Sequence, residues 1–253
     1  MAALRAILEE LDRLLEPETF DDYGPNGLQV QGRPEVEHVV TGVSASVELF
    51  ELAIEAQADV VLTHHGIFWD RDDRRVIGPL QRRLRLLLAA DVSLAAYHLP
   101  LDAHPTLGNN ALIAKGIGAT PTAQFAPAGG REIGWQAAFD GDGITPEDLV
   151  ARIANLTSRS PLAFPGGPLR VRTVGIVSGG GARSVQDAVA NGLDAFVTGE
   201  PAEWARQFAR ESGIHFIAAG HHATETFGVR ALGDWVAERF AVKHSYIGIE
   251  NPV

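Results

Sequence analysis

Two adjacent histidines, His64 and His65, end the apolar run Val60-Val61-Leu62-Thr63 and are followed at once by Gly66. A short β-branched run closed by a breaker predicts a buried strand over 59–62. Strand ends are where α/β sheets place ligands. Neighbouring side chains on a regular strand point to opposite faces. The pair is therefore expected to splay where the strand gives way to a turn, and to serve two metal ions rather than one. That expectation needs carboxylates and a further histidine from elsewhere in the chain; without them the pair is only an exposed turn.

The surroundings predict an α/β fold. A strand over 39–44, a helix over 47–57 with apolar Val47, Phe50, Ala53 and Ile54, and the His-His strand make a β-α-β unit with parallel strands. Before it come an amphipathic helix over 2–15 and the segment Asp21 to Val30, dense in turn formers and leading to an edge strand. That segment carries more polar residues than a linker needs. After it come a helix over 79–90, a strand over 93–97 ending in His98-Leu99-Pro100-Leu101-Asp102, and a helix over 107–115.

Pro121, Pro127, Gly129 and Gly130 predict a loop or hinge over 119–131. A strand over 133–139 follows, then a helix over 146–156 with Thr145 as N-cap and Pro146 at its first position. Residues 160–168 read as a Pro/Gly-rich loop. Strands over 171–178, 195–198, 214–219 and 242–247 then alternate with helices over 183–191, 202–211 and 226–240.

There is an internal echo. Val43-Ser44 leads through a helix to Asp59 and, four positions on, Thr63; Val177-Ser178 leads through a helix to Asp194 and, four positions on, Thr198. The two halves resemble copies of one unit with one residue of slippage in the connection. The expected organisation is two similar α/β lobes with mixed, mostly parallel sheets flanked by helices. The first is 1–118, completed by C-terminal segments, and the second 119–253, the two packed around a shared metal cleft.

Composition removes several classes. The chain has no cysteine, which excludes disulfides, thiolate metal sites and cysteine nucleophiles. Any metal must be held by nitrogen and oxygen, a set suited to Zn, Mn, Fe, Co, Ni or Mg. A net charge of −11 makes a nucleic-acid partner an unfavourable expectation. No N-terminal signal pattern and no apolar run of membrane-spanning length occur, so a soluble, cytoplasmic protein is expected.

Three segments share one form, an apolar strand ending in metal-capable residues: Thr63-His64-His65, Tyr97-His98-Leu99-Pro100-Leu101-Asp102, and Gly220-His221-His222-Ala223-Thr224-Glu225. If a helix begins near His221, Glu225 lies on the same face of its first turn. Imidazole and carboxylate ligands are the usual set of a catalytic dinuclear centre, whose ions lie roughly 3.5–4 Å apart. A bridging carboxylate is needed, and Asp102 and Glu225 are the candidates. His98, on a strand end where the offset to Asp102 says little about facing, is read as a support behind the ligands or a proton shuttle, with a structural histidine as the alternative. His222 and His104 read as spare histidines, facing solvent or standing behind the ligands, and His38, His215 and His244 as structural. Ser178-Gly179-Gly180-Gly181 could bind an anion, but a tight turn is the simpler reading.

These motifs carry a resemblance to the NIF3-like (DUF34) family, whose members are known as GTP cyclohydrolase 1 type 2 homologs or dinuclear metal centre proteins. The matching stretches are Asp22 to Val30, Leu62 to Trp69, Tyr97 to Asp102, Gly108-Asn109-Asn110, Thr198-Gly199-Glu200 and Gly220 to Glu225. The resemblance implies a two-lobed α/β fold and two divalent cations per subunit held by His64, His65, Asp102, His221 and Glu225. It also implies a ring-shaped homohexamer with its sites facing an internal cavity. The inserted domain of some relatives is missing from the short 119–131 connection. Tyr23 is a departure, since many relatives have Trp-Asp-Asn before Gly-Leu-Gln, which puts an asparagine contact there in doubt.

Two functions stay open. One is a metal-dependent hydrolase, GTP cyclohydrolase type 2-like, acting on a nucleotide or other phosphorylated ring compound with His98 managing protons. The other is a non-catalytic metal-loaded ring serving as a metal chaperone or as a regulatory or nucleic-acid-binding scaffold.

Overall fold

The computed structural model describes residues 1–253, which divide into two units: 1–101 with 228–250, and 102–227 with 251–253. The first unit opens with β1 (Ala2–Ala3), α1 (Leu4–Leu15), β2 (Gly27–Val30), β3 (Glu35–Val36), β4 (His38–Ser44), α2 (Val47–Glu55), β5 (Val60–His65), α3 (Gly78–Ala90), β6 (Ser93–Ala96) and the start of α4 (Leu99–Ala103), whose last two residues belong to the second unit. Its main sheet also takes the strand nearest the C-terminus, β13 (Lys243–Tyr246), in the order β13-β4-β5-β6-β2. The first four strands run parallel, and β2 runs antiparallel to β6.

Continuous apolar runs suit central strands covered on both faces. Val40, Val61 and Leu94 accordingly pack with Leu49, Phe50 and Ala53 of α2 and Leu87 of α3. Each of the valine, leucine and phenylalanine side chains among them contributes about 1.5–3 kcal/mol on burial. Ser46 starts α2 by accepting a hydrogen bond from the Leu49 N–H.

The second unit contains α5 (Asn109–Gly116), β7 (Thr120–Ala128), β8 (Arg131–Ala138), α6 (Pro146–Thr157), β9 (Leu162–Phe164), β10 (Thr173–Val177), α7 (Val185–Ala190), β11 (Ala195–Thr198), α8 (Ala205–Ser212), β12 (His215–Ala218), α9 (His221–Thr224) and the start of α10 (Thr226–Phe240). Its sheet order is β7-β8-β10-β11-β12-β9, with β10, β11 and β12 parallel and the other pairs antiparallel. Thr145 caps α6, as its sequence position predicts.

Several expectations are corrected. Residues 119–131 are not a loop; they form β7 and the turn into β8. The strand survives Pro121 and Pro127 because β7 is an edge strand, where a missing N–H removes no obligatory ladder bond. Gly129 and Gly130, at φ 57° and 80°, form the two-residue turn, whose doubly positive φ glycine supplies without strain. Residues 160–168 include the short edge strand β9, antiparallel to β12. The first unit ends at Leu101 rather than near 118, because Ile113, Ala114 and Ile117 of α5 belong to the core of the second. Asp102 sits on the short helix α4 rather than at a bare strand end.

The internal echo takes a physical form. Thr63 pairs with Gly42, the residue before Val43-Ser44, whereas Thr198 pairs with Val177 itself. The one-residue slip seen in the sequence is thus a one-residue difference in strand register. Each third parallel strand, β6 and β12, is followed by a short helix and a His-x-x-x-carboxylate: His98 to Asp102, and His221 to Glu225.

Candidate metal centre

In the first unit β5 continues through both histidines instead of ending before them. The rings nevertheless approach, with centroids 4.8 Å apart at 46°. His64 is fully buried, and its Nδ1 lies 3.1 Å from the Tyr97 carbonyl oxygen. A proton on Nδ1 donated to that carbonyl leaves the Nε2 lone pair for a metal. His65 Nδ1 is 3.0 Å from the Ser44 hydroxyl, which fixes its ring in the same way.

His98 completes this side. Its ring lies 5.0 Å from that of His64 and 5.5 Å from that of His65, and ligand nitrogens of the three fall within 4.8 Å of one another. The Asp22 carboxylate orients it: Oδ1 is 2.7 Å from His98 Nδ1, while Oδ2 accepts from the Leu99 N–H at 3.0 Å and the Asn26 amide at 2.9 Å. The Asn26 side-chain oxygen in turn accepts the His98 N–H at 2.7 Å. Burial pushes the Asp22 carboxyl up, but the bond and charge of His98, with the Asn26 amide and the Tyr23 N–H, outweigh it. The carboxyl is held below its ordinary value.

In the second unit Asp102 is buried, and its Oδ1 accepts from the Asn109 amide at 2.8 Å and the Ser178 hydroxyl at 3.0 Å. His221 opens α9 as the sequence predicts, with its Nε2 3.1 Å from Glu225 Oε1 and its Nδ1 2.5 Å from Glu200 Oε1. The hydrogen bond that the imidazole donates to Glu225 raises His221, burial opposes this, and the charge of Glu225 with the hydrogen bond to Glu200 and its charge help carry it to about 9.

Gly179 makes the pocket for this pair. A Cβ there would lie 2.2 Å from Glu225 Oε1 and 3.1 Å from His221 Nε2. The glycine run after β10 therefore serves as a tight turn that leaves room for the ligands. Donors of imidazole and carboxylate only, with a cleared cradle beside them, fit a first-row divalent cation.

The structure brings His64, His65 and His98 together in the first unit and His221 with Glu225 in the second, while Asp102 stands in a network with Asn109 and Ser178. The sequence offered Asp22, Asn26, Asn109 and Glu200 no role of their own, and read Ser178 only as the start of a tight or anion-binding turn. The signal for Asp22 and Asn26 was their presence, four apart, in a turn that Gly24 and Pro25 already made. His38 and His215 are tied to the backbone oxygens of Ala56 and Pro168, and His244 bridges Asp234 and Thr41. All three are structural, as expected. His104 is not a spare, because its Nδ1 accepts the Leu107 N–H at 3.0 Å.

No helix is long and apolar enough to cross a membrane. The chain is 45% identical over 250 residues to a protein of Pseudomonas aeruginosa named GTP cyclohydrolase 1 type 2 homolog, covering 99% of this chain and 98% of that one. A protein of the same name from Vibrio cholerae is 44% identical over 256 residues, covering 99% and 98%. Among solved structures, protein ybgI, described as of unknown function, superposes with a TM-score of 0.93 at 38% identity, and TTHA1606 from Thermus thermophilus with 0.87 at 32%; both cover 100% of each chain. The model of the family Duf34/NIF3 (NGG1p interacting factor 3) matches residues 2–252, and to that family the chain belongs.

Proposed function

We propose that the protein is a metal-dependent hydrolase of a nucleotide or similar phosphorylated ring compound, with a pair of divalent cations held by His64, His65, Asp102, His221 and Glu225. The observation that carries this reading is the Asp22–His98 pair, set against the rings of His64 and His65. The buried carboxylate fixes this third imidazole in one tautomer beside the histidine pair, which equips it to carry a proton. The names of the relatives support a nucleotide, and GTP is the first to test.

When bound, the cations supply Lewis-acid activation of water and of the substrate. The chain supplies the proton handling. With Nδ1 engaged by Asp22, His98 Nε2 is the atom that accepts a proton from the attacking water and returns it to the leaving group. Asp22 stabilises the imidazolium formed between the two steps. We further propose that the protein works in the cytoplasm as a homohexamer with its sites facing an internal cavity.

The test offers metal-reconstituted protein GTP and a phosphoester panel, beside the His64→Ala/His65→Ala and His98→Asn variants. Turnover lost in both variants is expected. Turnover no higher than in the double variant would overturn the hydrolase, and undiminished activity in His98→Asn would remove the role of His98.

A further inference from the structure

The segment joining β5 to α3 walls a cavity of about 720 Å³ that the metal chemistry leaves unused. Pro25, Ile67, Phe68 and Trp69 line it together with Leu80 and Arg83 of α3. Its floor is built firmly. The Gln29 side chain accepts the Ile67 N–H at 2.8 Å and donates to the Pro25 carbonyl at 2.8 Å. The Asp70 N–H donates to the Tyr23 carbonyl at 2.9 Å. Gly24 lies so close beneath that a Cβ would sit 2.4 Å from the Phe68 oxygen.

Two residues of this cavity point to a ligand. Trp69 packs on the proposed centre, its ring 5.4 Å from His98, edge to face at 88°, and 5.9 Å from His65. Arg83 is the other. Its Nε is buried with no hydrogen-bond partner. A guanidinium is always charged, and a buried donor left without an acceptor is destabilising, so such a group calls for an explanation. The remaining charges of the lining do not supply one. Asp73 is held by Arg75 at 2.6 Å, and Asp70, Asp72 and Arg74 are solvent-exposed.

We propose that this cavity is the recognition subsite for the substrate, taking a planar aromatic ring against Trp69 and an anionic group, phosphate or carboxylate, on the Arg83 guanidinium. The link to catalysis rests on the hydrolase reading above. Since Trp69 is the wall that touches His65 and His98, it is the ring that is presented to His98. The bond brought to the histidines is then one in or on the ring, and the anionic group serves as the handle.

Calorimetric titration of the metal-loaded full chain with GMP, guanosine, ribose 5-phosphate, benzoate and inorganic phosphate tests this. GMP is expected to bind at least about tenfold tighter than guanosine, as one charge-assisted contact implies. Arg83→Gln should abolish that difference and Arg83→Lys restore part of it. Trp69→Ala should weaken guanosine and GMP alike while leaving inorganic phosphate unchanged. Benzoate binding lost in Arg83→Gln would assign a carboxylate, and its failure to bind a phosphate.

Equal affinities for GMP and guanosine in the unaltered protein would overturn the subsite without recourse to any variant, as would Arg83→Gln binding GMP normally. The hydrolase reading fails separately. Binding that depends on Arg83 but gives no turnover sinks that reading and keeps the subsite, whereas turnover indifferent to Trp69 and Arg83 does the reverse.

Discussion

Replacing Asp22 by asparagine isolates the pair on which the chemistry depends. The side chain is 3% exposed, so the amide must satisfy the partners of the carboxylate where they stand. Its oxygen is forced to the Oδ2 position, because Leu99 N–H and the Asn26 amide both donate there. The amide NH2 then faces His98 Nδ1. It can only donate, so the imidazole must accept at Nδ1 and carry its proton on Nε2, the reverse of the arrangement a base requires. The Tyr23 N–H, which donates to Oδ1 at 2.7 Å, loses its acceptor as well. Exchanging charge-assisted bonds for neutral ones and leaving one donor unmatched costs about 1–3 kcal/mol, a fall in Tm of about 2–4 °C for each kcal/mol in a chain of this size. Turnover should fall by about 10²–10⁴. Long-range ¹H–¹⁵N spectra of the imidazoles read the tautomer directly. A proton remaining on Nδ1 of His98 in Asp22→Asn, or turnover unchanged, would refute the reasoning. Since Asp22 titrates below its unfolded value, it contributes stability above that value which is lost as pH falls through the native one. That part of the acid dependence should be missing from the variant.

Gly179→Ala places a methyl against Glu225 and His221 at φ +59°. It should cost at least about 1 kcal/mol in backbone strain and lower the bound metal per chain measured by plasma emission. Burial lowers His38, helped by the charge of Lys243, and lowers His104, helped by that of Lys115. The unfolded chain takes up these protons first, so their contribution is present above about 6.5 and lost as pH falls below it. Denaturant titrations between pH 7 and 5 should show that loss, and His104→Gln should reduce it. Metal at 100 times its dissociation constant should stabilise the chain by about 2.7 kcal/mol, a gain that chelator removes and His64→Ala/His65→Ala does not show.

What the sequence revealed divides along physical lines. The central strands were legible because burial on both faces demands continuous apolar runs, and α6 because Thr145 and Pro146 mark its start chemically. β7 was missed because an edge strand tolerates the prolines that forbid a central one. β5 was cut short because histidine at a strand end looks like the beginning of a turn. The candidate ligands were legible since few other residue types bind metal. The residues that orient them were not: Asp22, Asn26 and Glu200 act through contacts with positions 21 to 76 residues away, and nothing local marks such a partner.

Crystals grown with Mn or Zn and measured at the metal's absorption edge test the central claim most directly. Two anomalous peaks per chain are expected, roughly 3.5–4 Å apart, with His64, His65, Asp102, His221 and Glu225 as their protein ligands. A single peak, or ions bound away from these five side chains, would contradict it.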